Sequence, residues 1–525
     1  SECPEKEKWF ETHYCVQDID LELNNCLKDL NHDLHLPEVN TFIAEDFYIY
    51  SSEEVRSKMP VIIHECAGGK VWHKQDDTFF LPKASFNFYF KSPLMNLNAK
   101  NMVLAEIFAL LLDYDLKDVA YAADMAGLSY DIVVDQCGIL MNFAGFNDKL
   151  HLLFQKVIKQ MSAFEVKETQ FNMVKELTTR TYCNRIIKPR KLVRAVRLKI
   201  LQDVKWTDND KRAAVVDITL DDFTHFYEEL KSTFYVESLF QGNITPKDAI
   251  SHQTFLYRTL KFEPLLDDAH PQIRVIQLPD RESICKIGGF NREDENTVIT
   301  NYYQIGPASG KDLAYLDLLM DIMEEPLFDV LRTKEQLGYS VFGDSRITYG
   351  ILGFSLTVET QAEKYSADFV KERMDYFLGD FLGNLRNIDS GIFKNHVSSM
   401  IEIKQYDDLN LAEEVNRNWK EIVDETYSFE RLNNEINFLR ALTKESFVKW
   451  ISNAFSDLFS KKLSVQILGH KRANSDDTTT EIDEDFDVSE QSWTLAPVQE
   501  SPFPCISEIN LFKQTLTFYP ISKIY

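Results

Sequence analysis

Leu331-Arg332-Thr333-Lys334-Glu335-Gln336-Leu337-Gly338-Tyr339-Ser340-Val341 is the stretch from which the rest of this 525-residue chain is read. Upstream of it, Leu313, Leu316, Met320 and Met323 recur at helical spacing, so 313–324 reads as a helix with an apolar face. Pro326 suits the first turn of a second, short helix, where a missing N–H costs nothing. Arg332 then falls near the end of that helix, where the helix dipole favours a cation. Gly338 breaks the helix, and Tyr339-Ser340-Val341-Phe342 reads as a strand. One helix-to-strand turn therefore presents a guanidinium and a phenol, seven residues apart.

Working outward, the chain is too long for a single core and predicts two domains of about 250 residues or three smaller ones. Its 44% hydrophobic and 12% aromatic content is that of a folded protein. The formal net charge of -26 argues against nucleic acid or an anionic membrane surface as a partner. No apolar run approaches the ~18 residues of a membrane-spanning helix. None of the eight cysteines lies in a C-x-x-C pair, and their scatter reads as free thiols in a reducing, cytoplasmic setting. One sequon, Asn243-Ile244-Thr245, points the other way. The opening Ser1-Glu2-Cys3-Pro4, without an initiator Met, reads as part of something longer.

The sequence repeats itself. Thr219-Leu220-Asp221-Asp222-Phe223 recurs as Thr443-Lys444-Glu445-Ser446-Phe447. The strand end Phe240-Gln241-Gly242 recurs as Ile467-Leu468-Gly469, and Cys137-Gly138-Ile139-Leu140 as Tyr349-Gly350-Ile351-Leu352. Three matches in one order, each displaced by roughly 210–230 residues, are too widely spaced for a solenoid. They predict an α+β protein of two homologous domains, each a mainly antiparallel sheet with helices packed on one face. The expected division is an extended segment over 1–49, a first domain over 50–260 and a second over 261–525. Within the second, Ile273 to Arg281 reads as its opening strand. Residues 473–492 read as a disordered loop, because 476–490 hold eight acids and three threonines. The basic run Arg185, Lys188, Arg190, Lys191, Arg194, Arg197 and Lys199 reads as a solvated helix face, or else as a contact for an acidic partner.

Taken together, these residues resemble the C-terminal half of insulysin-like peptidases of the pitrilysin family. The resemblance rests on the 331–341 string, on Trp72 to Lys83, on Ala120 to Asp131 and on the tail Ile506 to Pro520. Those enzymes are zinc metalloendopeptidases built from four related α+β domains in two halves. The resemblance implies that zinc sits on a separate N-terminal half, bound by H-x-x-E-H on a helix. It implies that this half supplies Tyr339 as support for the developing oxyanion and Arg332 as a substrate-binding group. The implied partners are the N-terminal half and peptide substrates, and the resemblance also allows a homodimer. Paired lysines that bind polyanions in the family are replaced near 400–412 by Lys404 and Gln405-Tyr406-Asp407-Asp408-Leu409-Asn410, which puts polyanion activation in doubt.

The residues themselves hold no complete catalytic centre. His225-Phe226-Tyr227-Glu228-Glu229 lacks the second imidazole of H-x-x-E-H. His32 and His35 lie beside Asp33 and Glu38, in a segment without an evident rigid frame. His73 reads as a half-exposed strand histidine. No metal ligand is therefore assigned to this chain. A non-catalytic peptide-binding or scaffold protein of the same fold is the alternative, and an independent metalloenzyme using His225 is a third reading.

Overall fold

The computed structural model describes residues 3–16, 18, 39–50, 57–307, 309–455, 461–470, 495, 497–498 and 505–521. His32, His35 and the acidic run 476–490 lie outside the described residues. Ser1–Thr41 and Phe42–Tyr525 are separate units. In the first, Glu5–Lys6 (β1) pairs antiparallel with His13–Tyr14 (β2).

The second unit is built on two sheets. The first is ordered β3 (Val61–Cys66), β4 (Gly69–Gln75), β8 (Thr233–Gly242), β5 (Lys83–Lys91), β7 (Gly138–Phe146), β6 (Leu128–Asp135), with β9 (Glu263–Pro264) beside β8. The second is ordered β10 (Ser283–Gly288), β14 (Lys462–Leu468), β11 (Asn296–Pro307), β13 (Ile351–Gln361), β12 (Ser340–Thr348). Five strands match in order, β4-β8-β5-β7-β6 with β10-β14-β11-β13-β12, and among these only the pair at one side, β4 with β8 and β10 with β14, is parallel; the first sheet adds β3 and β9, the latter parallel to β8. The hairpins at Gly138 and Gly350 occupy the same place in their sheets. The matched threonines do the same work: Thr219 and Thr443 each N-cap a helix with a capping box.

The helices around these sheets include α1 (Ala99–Asp115), α2 (Asn147–Ser162), α3 (Pro189–Leu201), α4 (Leu220–Ser232), α5 (Pro246–Leu260), α6 (Gly310–Leu327), α7 (Ala367–Leu385), α8 (Leu411–Val423) and α9 (Lys444–Ala454). Helices α1, α2 and α5 pack on the first sheet, and α6 and α7 on the second. The opposite faces are covered by exchange. Helix α3, from the first part of the chain, lies on β14 and β11 of the second sheet. Helix α8, from the later part, lies on β5 and β8 of the first.

The basic run keeps a solvated face, with Arg185, Lys188, Arg190, Lys191 and Arg194 exposed, but the exchange buries the helix's other side. Leu192, Val193, Val196, Ile200 and Leu201 of α3 are buried, and Arg197 with them. On the first sheet, α8 buries Trp419 and Ile422 against Trp72, Tyr89 and Leu239. Polar groups are satisfied across that contact: Lys74 pairs with Glu414 at 2.8 Å, and Gln241 donates to Glu414 at 2.9 Å. Burying such groups is tolerated only when each finds a partner.

Three further expectations change. Ile273 to Arg281 forms no strand; Val275 and Ile276 make only isolated bridges, to Gln202 and Phe518, as the segment crosses between the two parts of the chain. The strand that opens the second sheet is Ser283–Gly288 instead. His73 is buried, not half-exposed, and its Nε2 lies 2.8 Å from the Ile244 carbonyl. The sequon residue Asn243 is 1% exposed and donates to the Tyr48 carbonyl at 2.7 Å, so its amide is engaged inside the fold.

One histidine pair makes the fold acid-sensitive. His252 on α5 lies 5.1 Å from the Phe86 ring and 6.2 Å, stacked, from His151 on α2. Burial, then the neighbouring His151, lowers His252 to about 4. The folded form thus holds its proton less tightly than the unfolded chain. Its stability contribution is full above the ordinary histidine pKa near 6.5 and is lost as pH falls toward 4. His252→Phe is expected to flatten the stability loss between pH 6.5 and 4 in urea melts, and an unchanged pH profile would contradict this placement.

Candidate functional site

Helix α6 runs further than its sequence suggests. Pro326 sits inside its last turn and does not open a second helix. A proline there cannot donate to the preceding turn, and the chain widens at once into a π-turn, Phe328–Lys334. Such turns shift side-chain register. Leu331 and Leu337 stay buried, at 0% and 1% exposure, while Arg332 between them swings outward.

The turn into β12 is fixed by backbone contacts. The helix ends by Lys334, and Gln336 makes the reversal at φ 52°, a conformation non-glycine residues seldom adopt. Gly338 is required for a different reason than helix breaking. A Cβ there would lie 1.8 Å from the Glu359 carbonyl oxygen, so no side chain fits. Glu335 accepts from Arg373 on α7 at 2.8 and 2.7 Å, and Lys364 donates to the Gln336 carbonyl at 3.0 Å.

On this frame Arg332 and Tyr339 meet. The Arg332 guanidinium lies 4.4 Å from the Phe328 ring and 4.6 Å from the Tyr339 ring, held between the two. Both rings lie within cation–π range of it, and among the described residues it makes no hydrogen bond or ion pair, so its N–H donors are unused. Tyr339 is 83% exposed.

Sequence reasoning placed Arg332 and Tyr339 on one turn but missed three supports. Phe328 gives Arg332 its second ring. Glu335 ties the turn to α7. Arg190, from the basic run, donates to Glu359 at 2.6 Å and to Ser340, the residue after Tyr339. Only the π-turn's odd register could have flagged Phe328; the other two depend on tertiary contacts. Exposed ion pairs contribute about 0–1 kcal/mol, so Arg190→Met should leave urea stability within that range. Its effect should instead appear as faster amide exchange at Ser340 and Val341. Unchanged exchange there would show that Arg190 does not hold this strand.

The remaining candidates are dispersed. His225 lies on the exposed face of α4 with Glu228 and Glu229. Among the described residues, no three His, Cys, Asp or Glu are grouped as metal ligands. Lys404 borders a cavity of about 660 Å³ but is already paired with Glu435 at 2.8 Å and Asp317 at 3.5 Å. Among the described residues, no helix is long and apolar enough to cross a membrane.

Two family models match the chain. The middle or third domain of peptidase M16 matches residues 1–214, and the peptidase M16 inactive domain matches 217–396. Human nardilysin is 38% identical over 99% of this chain and 46% of its own length. Human insulin-degrading enzyme is 31% identical over 98% of this chain and 51% of its own length. The chain thus spans about half the length of these relatives. The crystal structure of pitrilysin superposes with a TM-score of 0.78 at 18% identity, over 93% of this chain and 49% of that one. With a matched pair of sheets, and with family models covering its third-domain and inactive-domain segments, the chain belongs to the M16 peptidase family and corresponds to the C-terminal half of its insulysin- and nardilysin-like members.

Proposed function

We propose that this chain is the half of a zinc metalloendopeptidase that does not carry the metal. Joined to an N-terminal half, it encloses a peptide and presents the Arg332–Tyr339 turn to it. The observation that carries this reading is the pairing of exposure with rigidity. Tyr339 is 83% exposed, yet its ring lies against Arg332 on a turn pinned at Leu331, Leu337 and Gly338. Packing gives no reason to hold a phenol in solvent on so constrained a backbone.

In this reading the Tyr339 hydroxyl donates to the peptide carbonyl oxygen as negative charge develops there. The unused N–H donors of Arg332 fix a neighbouring substrate carbonyl, which limits the orientations the peptide can take. Among the described residues no three His, Cys, Asp or Glu are grouped as metal ligands, and in this reading the N-terminal half holds the zinc. The free cysteines among the described residues and the engaged Asn243 support a reducing, cytoplasmic setting.

Arg332→Lys tests the reading in enzyme reassembled from this chain and a zinc-bearing N-terminal half. Lysine keeps the charge but loses the planar fork. KM should rise and kcat fall, lowering kcat/KM by about 10- to 100-fold, as for a misplaced substrate. Wild-type kcat/KM would remove Arg332 from the site.

A further inference from the structure

Arginines concentrate on one face of the second sheet, in a chain of net charge -26. On α3, Arg190, Arg194 and Arg197 are spaced four and three residues apart, so they form one stripe along the helix. On β12, alternate residues share a face, and Ser340, Phe342, Asp344 and Arg346 lie on the one toward α3. The contacts match this register. Arg190 reaches Ser340 and sits 5.9 Å from the Phe342 ring. Arg346 donates through Nε to Ser355 at 2.9 Å. Ser355 pairs in register with Tyr302, and the Arg197 guanidinium lies 5.4 Å from the Tyr302 ring.

Arg197 is the unusual member. It is 4% exposed, and its Nη1 is buried with no hydrogen-bond partner. The acid on the same face, Asp344, is engaged by Arg346 at 2.5 Å. Burial lowers Arg197 to about 10, and the charges of Arg346 and Arg194 push in the same direction. The charge of Asp344 works the other way, but Arg346 already holds that carboxylate; a buried guanidinium so weakly compensated is costly to the fold, and an arriving anion would relieve that cost.

We propose that Arg194, Arg197 and Arg346 form a carboxylate site that receives an acidic side chain or the C-terminal carboxylate of a peptide lying along β12. This rests on the proposed peptide-binding role of the chain. Strand β12 is the edge of its sheet, so its outer backbone can pair with an extended chain. The same strand begins one residue after Tyr339. Seven residues separate Tyr339 from Arg346, a span of about 23 Å at ~3.3 Å per residue. A peptide extended along the strand would place its carboxylate about seven positions from the bond held at Tyr339. The chain's overall negative charge repels anionic peptides at a distance, so any preference for an acid has to come from a local site.

The test is fluorescence anisotropy with the full chain and two otherwise identical, hydrolysis-resistant peptides carrying Glu or Gln at that position. The Glu peptide should bind about tenfold more tightly, the effect of one charge-assisted hydrogen-bonded contact. The preference should vanish in Arg197→Met and in the more exposed Arg346→Gln. Arg197→Met should melt no lower than wild type, because it removes a buried charge whose nearby carboxylate, Asp344, is already held by Arg346. Equal affinity for the two peptides, or no binding of either, would overturn the inference. So would stabilisation by inorganic phosphate, lost in the same variants, without any Glu preference; that result would mark a site for a free anion. Failure of the wider reading looks different. If the chain prefers the Glu peptide but Tyr339 and Arg332 variants of the reassembled enzyme keep full activity, the carboxylate site stands and the catalytic role of the turn falls.

Discussion

In enzyme reassembled from this chain and a zinc-bearing N-terminal half, Tyr339→Phe is expected to lower kcat by about 10- to 1,000-fold, the cost of one oxyanion donor. The substitution removes a single oxygen. The ring and its contact with the Arg332 guanidinium at 4.6 Å remain possible. Among the described residues the hydroxyl has no hydrogen-bond partner to lose, so stability should change by less than roughly 1 kcal/mol. KM should move less than kcat, because the donated bond strengthens mainly as charge develops. A tyrosine kept only for packing gives the opposite pattern, with full activity on every peptide. Steady-state kinetics on several peptides distinguish the two.

The second large effect is on stability. Lys91 and Glu237 pair at 2.8 Å with side chains only 3% and 2% exposed. Lys91 also reaches Glu425 at 2.5 Å, and Tyr427 donates to Glu237 at 2.9 Å. Glu425 and Tyr427 come just after α8 in the chain, so this cluster ties the later part of the chain to the first sheet. Lys91→Met leaves the Glu237 carboxylate buried with only neutral donors, Tyr427 and Trp72. The expected loss is about 3–5 kcal/mol, as for other broken buried pairs. The double variant Lys91→Met with Glu237→Leu should recover most of it, because no buried charge is then left uncompensated. Burial pushes the Lys91 ammonium down, but Glu237 and Glu425 outweigh it and the net shift is upward. Its contribution is therefore complete below the ordinary lysine pKa of about 10.4 and is lost only as pH rises through the raised value. Urea melts at neutral and strongly alkaline pH should show the variant's deficit shrinking at high pH. A constant deficit, or a double variant as weak as the single, would contradict this.

Local signals in the sequence reach as far as local physics does. The threonine caps at Thr219 and Thr443 and the hairpin glycines are short-range features, and they located the repeated unit. Apolar periodicity in 313–324 located α6 but not its end. Pro326 reads most simply as a helix start, and only the packed structure shows the helix continuing through it into a π-turn. The Ile273 to Arg281 segment has strand composition, yet a strand needs a continuous partner, and the chain supplies it only isolated bridges. The basic run showed its solvated side but not what lies beneath it. Arginine and lysine heads dominate its sequence, but Leu192, Val196 and Ile200 on its other face are what the second sheet covers. The exchange of α3 and α8 between sheets leaves no mark in either helix alone. At the candidate site, Arg332 and Tyr339 were legible as neighbours along the chain. Phe328, Glu335 and Arg190 were not, because their roles depend on where other elements come to rest.

Whether this chain supplies the Arg332–Tyr339 turn to a zinc site that it does not itself contain can be measured directly. Peptide hydrolysis and zinc content are compared for the purified chain, for a zinc-bearing N-terminal half, and for the two combined. The expected result is no stoichiometric zinc and no hydrolysis for this chain alone, and hydrolysis by the combination well above that of the N-terminal half alone. One tightly bound zinc per copy of this chain, lost with its own peptidase activity in His225→Ala, would contradict it.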